Sequence, residues 1–300
     1  MSAQNYILRS LLFVPGNSEE LMIKASRTKA DAIILDLEDS VLDDLKAEAR
    51  KVIKTKISSG IFADFQVFVR TNDRNSGLLK EEIEELTIPG INGFVFPKSF
   101  NEEDIFYLEK LLSEAESTKD FPQNTFRIIP LIETTEALIS VNKICLASKR
   151  IIAVAFGSED FLFDLHGTHD ENNIALLIPR ATIATAARSA GVIPIDTLHP
   201  NVHDLLDLEQ NLKISRSLGF EGMLCLHPKE IKLAHKYFSP SEQEYHTAKE
   251  LLELNEKAKK VNKRVAVING KFIGPPMVKS ARRIIERYEM IQKFETIKNS

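Results

Sequence analysis

The run Phe126-Arg-Ile-Ile-Pro-Leu-Ile-Glu133, a helical stretch after it, and then Ile151-Ile-Ala-Val-Ala-Phe-Gly-Ser-Glu-Asp160 decide how the chain is read. Each apolar run has the length of a strand and ends on acid: Glu133 closes the first, Glu159 and Asp160 the second. A strand, a helix and another strand in that order predict parallel neighbours. Parallel strands covered by helices are buried on both faces, so a charge first finds room just past the carboxyl end. Ligands of such sheets bind at that edge. Two carboxylates delivered there from adjacent strands can give hard oxygen ligands to one Mg²⁺ and leave other positions to water and substrate.

The same unit recurs along the chain, a short β-branched or aromatic run, a polar elbow and a longer amphipathic stretch. Eight runs are counted: 10–14, 32–37, 65–70, 93–96, 126–132, 151–156, 192–196 and 222–226. Eight is the number that a closed α/β barrel requires. Between them apolar residues recur at helical spacing, as in Ile105, Leu108, Leu111 and Leu112. The expected architecture is α/β: a TIM (β/α)8 barrel over residues 1–240 and a C-terminal helical extension over 241–300, serving as a lid or a subunit contact. In the extension a helix over 241–261 leads to a short strand at 265–268, the turn Asn269-Gly270 and a last helix from Pro276.

With 300 residues and a formal net charge of -4, nothing gathers Lys and Arg on one face with aromatics between them, which argues against nucleic acid as partner. Cys145 and Cys225 sit in apolar surroundings and read as reduced thiols. The opening residues show no apolar leader core, and no apolar run nears the about 18 residues of a membrane span. A cytoplasmic protein without membrane contact is the expectation. His199-x-x-x-His203 has the spacing of a zinc pair, but Pro200 interrupts the helix that would align the two rings. Gly-rich phosphate loops and nucleophile elbows are absent from the sequence.

Polar groups close every strand. Asp36, Glu38 and Asp39 alternate past the second, so only part of the set can face a pocket. Arg70 ends the third with a planar fork suited to a carboxylate. Lys98 follows the fourth and is placed to donate to substrate or to a nearby acid, or to lie along the surface. Acids before helices also serve as dipole partners worth about 0.3–1 kcal/mol, so for Glu133 and Asp160 both readings stay open.

Taken together, Arg9-Ser-Leu-Leu-Phe-Val-Pro-Gly-Asn17, Asp36-Leu-Glu-Asp39, Val69-Arg70, Phe96-Pro-Lys98, Ile132-Glu133-Thr134, Gly157-Ser-Glu-Asp160, Ile195-Asp-Thr197 and Asn269-Gly-Lys271 resemble the citrate lyase beta subunit family, in register over nearly the whole chain. The resemblance implies a TIM barrel of the phosphoenolpyruvate/pyruvate type and Mg²⁺. It also implies carbon–carbon cleavage of a 3-hydroxyacyl thioester of the citryl, malyl or citramalyl kind, carried on coenzyme A or an acyl carrier protein, to an acyl thioester and a 2-oxo acid. It makes Glu133 and Asp160 metal ligands and Arg70 the holder of the oxo-acid carboxylate, and leaves Asp36, Glu38 or a water to transfer the proton. Phe13, Lys24, Leu226 and His227 fall where relatives contact the thioester cofactor, and Lys98 stands beside the substrate. Relatives assemble as trimers, so a homo-oligomer is implied, with other lyase subunits as further partners. One position departs from the pattern: Gly274 stands where family lyases place an acid used in proton transfer. Two other readings follow, an aldolase on free 4-hydroxy-2-oxo acids and a metal- or coenzyme A-binding protein without turnover.

Overall fold

The computed structural model describes residues 6–170, 173–260, 266–268 and 271–298. Eight strands follow one another in the first unit: β1 (Ser10–Pro15), β2 (Ala32–Asp36), β3 (Gln66–Arg70), β4 (Gly93–Phe96), β5 (Arg127–Ile132), β6 (Ala153–Phe156), β7 (Ile193–Asp196) and β8 (Gly222–Cys225). Every neighbouring pair is parallel, and β1 pairs with β8 to close the barrel. Seven of the eight expected runs contain their strand, β1 runs one proline past its own, and no boundary is shifted by more than two residues.

Helices alternate with the strands: α1 (Glu19–Ala25), α2 (Lys46–Ser58), α3 (Leu79–Leu86), α4 (Glu102–Thr118), α5 (Thr135–Leu146), α6 (Ser158–Leu165), α7 (Ile174–Ala190), α8 (Leu205–Leu218) and α9 (Pro228–Phe238). Local signals set their starts. Ser18, Asn101, Thr134 and Asp204 each cap a helix by accepting a first-turn amide, and Asn101 with Asp104 completes a reciprocal capping box. Gly191 and Gly219 end α7 and α8 in the left-handed conformation that glycine adopts without strain.

Apolar side chains from every strand fill the barrel, among them Leu11, Ile34, Phe68, Val95, Ile129, Ala153, Ile195 and Leu224. The strands are buried on both faces, which is why their sequences read as continuous apolar runs rather than alternating ones. Gly93 starts β4 where a Cβ would fall 2.1 Å from the carbonyl oxygen of Arg127, so only glycine lets β4 and β5 approach there. Charged pairs close the rear of the barrel. Arg9 donates to both oxygens of Asp31 at 2.8 and 2.9 Å, and Arg150 grips Glu116 at 2.6 and 2.7 Å.

A second compact unit spans Lys236–Ser300, and the first spans Met1–His235. Within the second, α10 (Glu242–Lys260) packs on α11 (Pro275–Lys298), where Tyr245 stacks on Tyr288 with ring centres 4.2 Å apart. Between these helices β9 (Ala266–Ile268) and β10 (Lys271–Ile273) pair antiparallel. Val265 and the turn Asn269-Gly270 lie outside the described residues. Among the described residues no helix is long and apolar enough to cross a membrane.

Candidate active site

The carboxyl ends of β1, β2, β3, β5, β6 and β8 surround a cavity of about 760 Å³. Phe13, Lys24, Asp36, Arg70, Glu133, Asp160, Leu226 and His227 line it, so eight of the ten residues singled out from the sequence meet at one mouth. Glu38 and Lys98 stand behind that lining, paired to each other at 3.1 Å.

Parallel pairing explains how Glu133 and Asp160 come together. Ile132 of β5 lies opposite Phe156 of β6, so the residues that follow each strand leave the barrel side by side. Glu133 stays buried, while Asp160, in the first turn of α6, is exposed. Burial pushes the Glu133 carboxyl up to about 8; the negative charges of Glu38 and Asp160 add to this, and the amide of Lys98 and the charge of Arg70 oppose it. Its Oε2 accepts the Lys98 amide at 2.8 Å. Its Oε1 sits in a notch made by Gly157, where a Cβ would lie 2.7 Å from that oxygen and 2.5 Å from Cγ. Gly157 leaves the first amide of α6 to Thr197, whose Oγ1 accepts from the Ser158 amide at 3.2 Å and donates to the Ser158 hydroxyl at 2.6 Å.

The fork of Arg70 is occupied within the chain: Nε and Nη2 donate to the two oxygens of Asp36 at 2.6 and 2.8 Å. Nη1 meets Glu38 at 2.8 Å and Asp39 at 3.1 Å, and the guanidinium lies 4.9 Å above the Phe13 ring. An arginine with this much burial needs an anion, and the chain supplies its own. The bidentate face of Arg70 is spent on Asp36, and Asp39 is the most exposed of the three acids around it.

The acids past β2 divide by environment. Asp36 accepts from Arg70 and from the amides of Glu38 and Ser40, at 3.0 and 3.2 Å. Burial works to raise its proton affinity, but Arg70 and these amides outweigh it and hold the carboxyl below its usual range. Glu38 moves the other way: burial raises it, only partly offset by Arg70 and Lys98. Of this pair, Glu38 has the higher proton affinity. Lys98 is raised by the charge of Glu38 against the effect of burial, and its backbone φ of 48° is left-handed.

Lys24 is exposed and paired with Glu20 at 2.6 Å. Leu226 and His227 donate their amides to Glu230 Oε2 at 2.8 and 2.9 Å, which fixes the start of α9 at the edge of the cavity. His199 and His203 lie outside helices; His199 faces a separate polar cavity beside Asp207. Among the described residues no group of three or more His, Cys, Asp or Glu could hold a metal, so any cation at the mouth would rest on the two-carboxylate pair and on its ligands from solution. Gly157 and Asp39 line the cavity and Asn72 stands behind it, none of them singled out as a site residue from the sequence. A buried acid two strands from an arginine carries no sequence mark for the glycine that makes room for it.

A closed (β/α)8 barrel with acids, one arginine and one lysine at its carboxyl mouth defines an enzyme of the TIM-barrel class, built where that fold places its active sites. The chain belongs to the HpcH/HpaI aldolase/citrate lyase family, whose model matches residues 9–228, and is thereby a lyase. It is 30% identical to a citrate lyase subunit beta-like protein of Deinococcus radiodurans, covering 95% of this chain and 99% of that one. Identity to the citrate lyase subunit beta of Haemophilus influenzae is 29%, over 93% and 96%. The (3S)-malyl-CoA thioesterase of Cereibacter sphaeroides is 26% identical, over 98% and 99%. In fold the chain is similar to CitE of Mycobacterium tuberculosis, solved in complex with magnesium, acetoacetate and coenzyme A: TM-score 0.75, 22% identity, 93% of this chain and 97% of that one. A citrate lyase of Burkholderia xenovorans gives a TM-score of 0.85 at 18% identity, over 94% and 92%.

Proposed function

We propose that this chain is a Mg²⁺-dependent carbon–carbon lyase that cleaves a 3-hydroxyacyl thioester of the citryl-, malyl- or citramalyl-CoA type to an acyl thioester and a 2-oxo acid. The observation that carries this reading is Glu133, a buried acid pushed up to about 8 on the same cavity as Asp160 of the neighbouring strand. An uncompensated carboxylate in that position is costly without a cation, and the missing side chain at Gly157 makes room for its Oε1. Two carboxylates form a hard oxygen donor set of the kind Mg²⁺ takes, with water and substrate completing it. Crystals of the Mycobacterium tuberculosis relative with magnesium and coenzyme A support the same cofactor and carrier here.

When bound, Mg²⁺ would supply Lewis-acid polarisation of the hydroxyl and carboxylate oxygens of the oxo-acid half. Glu133 and Asp160 would hold it, the Lys98 amide keeping Glu133 in place. Arg70 would take the distal carboxylate by exchanging Asp39, and offset negative charge as the bond breaks. Asp36 keeps Arg70 oriented, while Glu38 or a water would take up the hydroxyl proton. Phe13, Lys24, Leu226 and His227, on the β1 and β8 side, would face the thioester arm, coenzyme A or an acyl carrier protein. The extension over 241–300 would serve as a lid or subunit contact in a homo-oligomer such as a trimer.

A second reading, hydrolysis of the thioester, is favoured by the full-length match to the malyl-CoA thioesterase and by Gly274 in place of the family acid. Mass spectrometry of purified protein with Mg²⁺ and a panel of citryl-, malyl-, citramalyl- and β-methylmalyl-CoA, beside Glu133→Ala, separates these outcomes. A 2-oxo acid with a shortened acyl-CoA is the expected product. Free coenzyme A with the intact hydroxy acid would mean hydrolysis, and no product from any member would overturn the lyase reading.

A further inference from the structure

Behind the mouth lies a buried polar layer that no step of the proposed reaction uses. Asn72, two residues past β3, spends its whole side chain there. Its Nδ2 donates to the Leu37 carbonyl at 3.0 Å and to Glu82 Oε1, and its Oδ1 accepts from the Lys46 ammonium. Its backbone amide donates to Glu82 Oε2 at 2.8 Å. Lys46 also reaches toward the Glu38 carbonyl at 3.5 Å. Glu82 is fully buried, and Asn72 and Lys46 are nearly so. Helices α2 and α3 thus send one cation and one anion inward to an amide, and the amide holds the backbone of Leu37.

Leu37 is the link between the two acids that grip Arg70. Asp36 precedes it and Glu38 follows it, and its own amide donates to the Arg70 carbonyl at 2.9 Å. Full charges in a protein interior are costly unless every hydrogen bond is made, and apolar packing would hold two helices equally well. Their placement against this one elbow gives them a purpose that packing lacks.

We propose that Asn72, with Glu82 and Lys46 behind it, is a positioning residue: it fixes the Leu37 carbonyl, hence the Asp36–Glu38 pincer, hence the direction in which Arg70 faces the cavity. This deepens the reading of Arg70 as the carboxylate-holding cation and rests on it for its consequence in catalysis. The geometry itself is tested without any substrate. In full-length protein with ¹⁵N-labelled arginine, hydrogen exchange of the Arg70 Nε–H is compared between wild type and Asn72→Ala. The Arg180 Nε–H, bonded to Asp196 at 3.1 Å elsewhere in the same barrel, is the internal control. Exchange at Arg70 should quicken at least tenfold while Arg180 stays within twofold. Equal quickening at both sites would make the layer structural glue and overturn the proposal, as would no change at Arg70. Should Asn72→Ala fail to fold, Glu82→Gln, which keeps the volume and loses one acceptor, is read by the same criterion. Binding of oxaloacetate with Mg²⁺ to Arg70→Lys is measured alongside. Undiminished binding there would remove the role given to Arg70 and leave the exchange result to decide the positioning by itself.

Discussion

The backbone amide of Lys98 donates to Glu133 at 2.8 Å, while the ammonium of the same residue turns to Glu38 at 3.1 Å. One residue therefore engages two acids, and it does so from a left-handed backbone with φ of 48°. A β-branched side chain resists that conformation more than lysine does, and glycine does not resist it at all. Lys98→Ile should cost about 1–2 kcal/mol more than Lys98→Gly by urea denaturation, while Lys98→Gly keeps the amide and so keeps the divalent-cation affinity seen by calorimetry. Equal stability of the two variants would show that the turn relaxes without strain.

Gly157 lies against Glu133 so closely that a methyl group must displace it. Overpacking of this kind costs about 1–3 kcal/mol. Gly157→Ala should therefore lower the melting temperature by several degrees and weaken Mg²⁺ or Mn²⁺ binding at least tenfold. Retained cation affinity would place the cation on other ligands.

Asp39 pairs with Arg70 at its solvent side. Exposed pairs are worth about 0.2–1 kcal/mol, so freeing Nη1 should help an incoming carboxylate by a few-fold. Asp39→Asn is expected to tighten 2-oxo acid binding by that amount without changing cation affinity. Weaker binding would mean that Asp39 contacts the ligand rather than blocking it.

The rear of the barrel sets the acid limit. Burial would raise Asp31 and Glu116, but Arg9 with His235 and Arg150 outweigh it, and both carboxyls are held below their usual range. A carboxyl lowered on folding gives stability that is full above its unfolded value near 4 and is lost as pH falls through the folded one. Chemical denaturation should show constant stability from these pairs between pH 5 and 7 and a decline below pH 4. Arg9→Met leaves Asp31 buried with less compensation and should cost about 3–5 kcal/mol at pH 7. A loss under 1 kcal/mol would mean that His235 carries the site alone.

Gly274 is buried and precedes α11, its carbonyl accepting the Met277 amide at 3.0 Å. Aspartate at a helix N-cap improves on glycine by only a few tenths of a kcal/mol, so capping leaves turnover unmoved. If a proton donor is all that is missing, Gly274→Asp should raise lyase turnover at least tenfold in the coenzyme A-ester assay. No gain would mean that the extension serves another purpose.

Eight apolar runs, each followed by a polar elbow, determined the barrel by themselves, because a strand buried on both faces must be apolar throughout and can carry charge only where it ends. The same rule puts Glu133, Asp160 and Arg70 at one rim. Which acid meets which cation was decided only by the closed sheet. Asp36 and Arg70 are neighbours because β2 and β3 pair in register, and Glu38 reaches Lys98 because two loops converge behind them. The notch at Gly157, the grip of Asn72 on Leu37 and the split between Asp36 and Glu38 in proton affinity arise from burial and from partners distant in sequence. Local pattern encodes neither, since desolvation and Coulomb forces depend on distances that exist only once the chain has closed.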